Sequence, residues 1–159
     1  MAFAGPHLAY VHGVSRRFPP PPRQPATRTV LIVEDEQSIR DILAELFDTD
    51  GTQVTTAATL DDAKAALARR EYDLIVTDLR LGGKRDGGLQ VMAASGLLSP
   101  DATVIVLTAY PDEDVRHASL RLGATHFLEK PVDLQTIATL AADAGVATAM
   151  LPGGRPSAA

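Results

Sequence analysis

Five polar residues stand just beyond short apolar runs. Glu34 and Asp35 follow 30–33 (VLIV), Asp78 follows 73–77 (DLIVT), Thr108 follows 103–107 (TVIVL), and Lys130 comes soon after 125–128 (THFL). Three carboxylates brought together repel and raise one another's pKa, and a divalent cation relieves that strain. An all-oxygen set of this kind suits Mg²⁺, which keeps several waters and shares its coordination with phosphate. A carboxylate on such a metal can attack a phosphoryl group and form an acyl phosphate. Lys130 would add a fixed positive charge for phosphoryl oxygens, and the Thr108 hydroxyl a hydrogen bond. Taken singly, an Asp after a strand is usually a helix cap or loop residue and a Lys-Pro step is usually surface. The signal is the placement of the whole set.

That placement depends on the elements between these residues. The run 30–33 is apolar without alternation, as in a parallel strand buried on both faces. Ile39, Ile42, Leu43, Leu46 and Phe47 then recur at helical spacing and stop before Gly51. Residues 53–57 read as a weaker strand. Thr59 opens a second helix with Asp62 three residues on, a start resembling a capping box. The apolar side of that helix is mostly Ala63, Ala66 and Leu67. Gly82, Gly83, Gly87 and Gly88 mark the loop after Asp78, and a short helix follows over 89–98. Pro111 opens a fourth helix that Gly123 can close. Residues 125–128 form the last strand, and Asp133 caps a last helix carrying Leu134, Ile137, Leu140 and Ala141. Strand and helix alternate five times, which calls for an α/β fold, a doubly wound five-stranded parallel sheet with helices on both faces. Right-handed crossovers put every strand C-terminus on one edge, where ligands of open sheets bind.

Composition narrows the function classes. The chain has 159 residues, 45% of them apolar and 22% charged, which suits one globular domain with some excess at its ends. A net charge of −5 without a basic stripe argues against direct DNA binding. The chain has no Cys, so disulfides and thiolate metal sites are excluded. No apolar run reaches the ~18 residues of a membrane span, and the N-terminus lacks the early charge and unbroken apolar stretch of a secretory signal. A cytoplasmic protein is therefore expected. Residues 1–27 contain four consecutive prolines at 19–22 and read as a disordered Pro-rich arm. Residues 28–149 hold the domain, and 150–159 read as a flexible tail too short for an output domain.

The motifs VLIVEDE (30–36), DLIVTDLRL (73–81), VIVLTAY (104–110) and GATHFLEKP (123–131) resemble, in order, those of the response regulator receiver domain of two-component signal transduction. The resemblance covers about residues 28–148. It implies a flavodoxin-like sheet of strand order 2-1-3-4-5, with Asp78 as phosphoacceptor. It assigns Mg²⁺ to Asp35, Asp78 and the backbone carbonyl of Arg80, with Glu34 acting through water. It assigns phosphate contact to Lys130 and Thr108, a switch to Thr108 and Phe127, and a cis bond before Pro131. Phosphorylation would draw Thr108 and then Phe127 inward and reshape the face around the last strand, where Arg116, Arg121, His126 and Gln135 fall. The implied partners are a histidine kinase or histidine phosphotransfer protein as donor and a protein target downstream. A phosphorylation-dependent dimer is compatible with this reading, which is a stand-alone binding module and not an enzyme.

The loop after Asp78 departs from the family pattern. Leu81-Gly82 stands where Met-Pro is common, and the stretch to Asp86-Gly87 is one residue longer, so a more mobile loop is expected. Bulky Arg80 and Tyr110, each two residues beyond a site residue, would shield an acyl phosphate from water. Three other readings compete. A haloacid dehalogenase-like phosphatase needs a second Asp where this chain has Arg80. A flavin binder needs a hydroxyl- and Gly-rich loop where it has EDEQS. A phosphorylation-independent pseudo-receiver is opposed by the complete acidic, Thr and Lys set. The four histidines, His7, His12, His117 and His126, have no metal-ligand spacing and read as surface residues.

Overall fold

The computed structural model describes residues 26–150. In chain order the elements are β1 (Arg28–Val33), α1 (Gln37–Leu46), β2 (Thr52–Ala57), α2 (Leu60–Arg69), β3 (Leu74–Asp78), α3 (Gly87–Leu98), β4 (Thr103–Thr108), α4 (Glu113–Arg121), β5 (His126–Glu129) and α5 (Leu134–Asp143). The strands form one sheet of order β2-β1-β3-β4-β5, with every neighbouring pair parallel.

Successive side chains of a strand face opposite sides of the sheet, so each apolar run feeds two cores. Leu31, Val33, Ile75, Val104 and Val106 pack with Ala63, Ala66 and Leu67 of α2 and Val91 and Met92 of α3. Val30, Ile32, Leu74, Val76, Ile105 and Leu107 pack with Leu43 and Leu46 of α1 and Ile137, Ala138 and Ala141 of α5. β1 and β3 lie inside the sheet and are covered on both sides, which is why their sequences do not alternate. α4 is held more thinly, with Ser119 its one buried residue.

Four local features differ from the sequence reading. α3 begins at Gly87, so Gly87 and Gly88 belong to its first turn and not to the preceding loop. α4 is opened by Asp112, whose carboxylate accepts the Asp114 and Val115 N–H groups, and Pro111 lies outside it. A capping carboxylate satisfies helix donors directly, which Pro cannot do. The chain after α5 folds back: Val146 is buried, Ala149 N–H donates to the Leu46 carbonyl at 2.7 Å, and Met150 packs on the α1/α5 core. The glycines after Asp78 form a tight turn: Leu81 and Lys84 exchange both backbone hydrogen bonds, with Gly82 and Gly83 between them at φ +59° and +76°. Positive φ at both central residues is the type I′ pattern that glycine permits. The Pro-rich arm and the tail were expected over 1–27 and 150–159, and nearly all of both lies outside the described residues.

Candidate functional site

Parallel pairing aligns the C-terminal ends of β1, β3, β4 and β5 on one edge. Leu79 N–H donates to the Leu107 carbonyl at 2.9 Å and Lys130 N–H to the Thr108 carbonyl at 2.7 Å, so the chain leaves each strand beside its neighbour. Glu34, Asp35 and Asp78 meet there, with one carboxylate oxygen from each lying within 4.8 Å of the others. Lys130 Nζ bridges two of them, donating to Glu34 Oε2 at 2.9 Å and Asp78 Oδ2 at 3.1 Å. The peptide bond between Lys130 and Pro131 is cis.

The three acids are held differently. Glu34 is buried and its other oxygen accepts the Glu36 N–H at 3.1 Å. Asp78 is buried, and its Oδ1 accepts the Arg80 N–H at 3.1 Å. Asp35 is exposed, and its Oδ2 accepts the Gly82 N–H at 3.2 Å. Burial pushes the Glu34 carboxyl up to about 7; hydrogen bonds from Lys130 and the Glu36 N–H pull against it, and the charge of Asp78 adds a smaller upward push. Repulsion between carboxylates, the cause expected from the sequence, is thus secondary to desolvation. Burial would lower the Lys130 pKa, but the Glu34 hydrogen bond and the charge of Asp78 outweigh it and hold it above the ordinary lysine value.

Thr108 and Phe127 are not part of this contact set. The Thr108 hydroxyl sits at the adjacent strand end and accepts the Tyr110 N–H at 3.1 Å. Phe127 is half-buried against the α2/α3 core and borders a groove of about 380 Å³ with Pro111, Arg116 and Glu129. The Arg80 guanidinium lies 4.8 Å from the centre of the Tyr110 ring, and the two line a groove with Leu79 and Thr108. What faces Asp78 from two residues downstream is therefore a backbone N–H and not the second carboxylate a haloacid dehalogenase would need.

Two residues with a bearing on the site were not singled out for it in the sequence. Gly88 N–H donates to the Leu79 carbonyl at 2.8 Å, and a Cβ on Gly88 would lie 2.5 Å from the Asp78 carbonyl oxygen. Arg40 donates to the carbonyls of Glu34 and Asp35 at 2.8 and 3.3 Å. A Gly-Gly step read as a loop hides the first, and a helical arginine is ordinarily surface, which hides the second.

Residues 30–142 match the family model described as the response regulator receiver domain. The chain belongs to that family. This receiver is similar to the sporulation initiation phosphotransferase F of Bacillus subtilis, with 31% identity over 108 residues, 68% of this chain and 86% of that one. It is also similar to the alginate biosynthesis transcriptional regulatory protein AlgB of Pseudomonas aeruginosa, with 34% identity over 64% of this chain, but it spans only 22% of AlgB's length. The response regulator PilR of the same organism is 36% identical over 72% of the chain, and the chain spans 25% of PilR. Among solved structures, a response regulator from Burkholderia pseudomallei with a phosphorylated aspartic acid, a calcium ion and citrate superposes with a TM-score of 0.65 at 29% identity, over 74% of this chain and 69% of that one. A CheY-like receiver from Methanospirillum hungatei, 24% identical, shares the fold with a TM-score of 0.68, over 74% of this chain and 93% of that one. No helix of the described residues is long and apolar enough to cross a membrane.

Proposed function

We propose that this receiver accepts a phosphoryl group on Asp78 from a histidine kinase or histidine phosphotransfer protein and passes the signal to a protein target. The observation that carries the reading is the Lys130 ammonium bridging Glu34 and Asp78 beside a third carboxylate. The Asp78 Oδ would attack phosphorus while the bond from phosphorus to the donor nitrogen breaks. Glu34 and Asp78 are buried, and Lys130, already on Asp78, would shift toward the incoming phosphoryl oxygens. The oxygen donor set and its excess of negative charge fit a hard divalent cation. Asp35, Asp78 and the Arg80 carbonyl would hold Mg²⁺, with Glu34 behind them. Bound there, Mg²⁺ supplies the positive charge that lets a carboxylate and a phosphoryl group approach.

Thr108 would then exchange its Tyr110 N–H for a phosphoryl oxygen, and Phe127 would follow into the space released. The output face this alters contains α4, the helix with the fewest buried residues, so rearranging it costs little of the core. A donor protein has to reach Asp78, and an apolar groove of about 550 Å³, lined by Ile39, Ile42, Lys130 and Leu134 among others, opens beside it.

Incubation with Mg²⁺ and acetyl phosphate is expected to raise the intact mass by one phosphoryl group, and Asp78→Ala is expected to abolish the gain. A folded wild-type sample that gains nothing would rule the reading out. The Arg80–Tyr110 stack, in a groove shared with Thr108, supports slow hydrolysis of the acyl phosphate. The double variant Arg80→Asn/Tyr110→Ala is expected to lose its phosphoryl group roughly tenfold faster, about 1.4 kcal/mol of barrier. An unchanged decay rate, followed by intact mass after removal of donor, would refute the shielding role.

A further inference from the structure

The turn from β1 into α1 carries two of the three acids; the Glu34 carboxylate accepts the Glu36 N–H at 3.1 Å and the Asp35 carboxylate the Gly82 N–H at 3.2 Å. Glu36 occupies the cap position of α1 but makes no side-chain cap hydrogen bond. The carbonyls of the turn are held by Arg40, one turn into the helix. Its guanidinium Nη1 donates to the Glu34 carbonyl at 2.8 Å and to the Asp35 carbonyl at 3.3 Å, while its own amide donates to the Glu36 carbonyl at 3.0 Å. The side chain thus takes two consecutive carbonyls, while the amide bond is the ordinary one of a helix's first turn. The carboxylates of Glu34 and Asp35 converge instead on Asp78.

The two cations at this edge are used in opposite ways. Lys130 binds carboxylate oxygens, so it occupies atoms that a metal would need. Arg40 makes no ion pair among the described residues and takes only backbone carbonyls, which leaves the carboxylates open. Its charge and its grip also act in opposite directions on a metal. A guanidinium near the cluster repels a divalent cation, whereas a fixed 34–35 backbone spares the cation the work of ordering its ligands.

We propose that Arg40 is a positioning residue for the cation site, and that its hold on the Glu34 and Asp35 carbonyls outweighs its electrostatic repulsion of the metal. This rests on the Mg²⁺-dependent reading above. The sign of one measurement decides it. Titration of Mg²⁺ into the metal-free full chain, followed by calorimetry, is expected to show about tenfold weaker binding for Arg40→Met, the lower end of the range for residues that orient metal ligands. Arg40→Lys, which keeps an ammonium able to reach the carbonyls, is expected to recover most of that loss. A residue serving general stability alone would lower the melting temperature in chelator without this pattern in affinity. Binding by Arg40→Met as tight as wild type, or tighter, would overturn the proposal, because repulsion would then be the larger effect. Arg40→Gln carries the same comparison should Arg40→Met fail to fold. A folded wild type that takes up no Mg²⁺ would overturn the underlying reading as well, and that outcome is distinct from equal affinities in wild type and variant.

Discussion

Lys130→Met is expected to cost about 3 kcal/mol of folding stability at pH 8 and much less at pH 5.5, in metal-free protein. The reason is Glu34, whose side chain is 1% exposed and whose oxygens take only the Lys130 ammonium and the Glu36 N–H. Without the ammonium, a buried carboxylate beside Asp78 keeps one neutral donor. It must stay charged at high cost or take up a proton, and proton uptake caps the penalty. With its pKa near 7, Glu34 is mostly ionised at pH 8 and mostly protonated at pH 5.5, so the pair matters chiefly at the higher pH. Wild type carries the same linkage. Glu34 binds its proton more tightly folded, at about 7, than at its ordinary 4.5. Its contribution to stability is thus full below about 4.5 and is lost as the pH rises through about 7, a change on the order of 3 kcal/mol. Urea unfolding in chelator at the two pH values measures both effects. Equal costs for Lys130→Met at pH 5.5 and pH 8 would show that Glu34 does not depend on Lys130.

Gly88→Ala is expected to lower stability by about 3 kcal/mol and to slow phosphorylation of Asp78 far more than its size suggests. The added Cβ would lie 2.5 Å from the Asp78 carbonyl oxygen and 2.6 Å from Leu79 Cα. Both are backbone atoms at the end of a central strand, so neither can swing aside. Either α3 lifts from the sheet or the end of β3 shifts, and a displacement near 1 Å at a reacting group costs about 10²-fold in rate. Gly96, on the same helix, is the control. A Cβ there meets nothing within 4 Å, so Gly96→Ala is expected to gain about 0.8 kcal/mol from helix propensity alone. Thermal unfolding of the two variants with their acetyl phosphate kinetics separates them, and similar behaviour would mean that the close approach at Gly88 does not constrain Asp78.

Much of this was legible before any coordinates. Each central strand advertises itself because burial on both faces demands an unbroken apolar run, and a polar residue directly after such a run must lie at the sheet edge. Glu34, Asp35 and Asp78 were recoverable in that way; Lys130, beyond the edge strand β5, was read from its motif, and Asp133 from its place as the cap of α5, where it accepts the Gln135 N–H. α4 was less legible because a helix with one buried residue has little apolar periodicity to read, and its cap was placed on Pro111 instead of Asp112.

By itself, the sequence determined the order of elements, the parallel sheet and the carboxylates and lysine that share its edge, because these follow from local periodicity and from the handedness of crossovers. Only the tertiary structure decided how each group is held. Desolvation of Glu34 depends on what surrounds it in space, and so does the bridging of Lys130 to two acids distant in sequence. The approach of Gly88 to Asp78 is a contact between α3 and β3 that no spacing records. The grip of Arg40 on two carbonyls depends on the turn from β1 into α1, a geometry that side-chain identity leaves open.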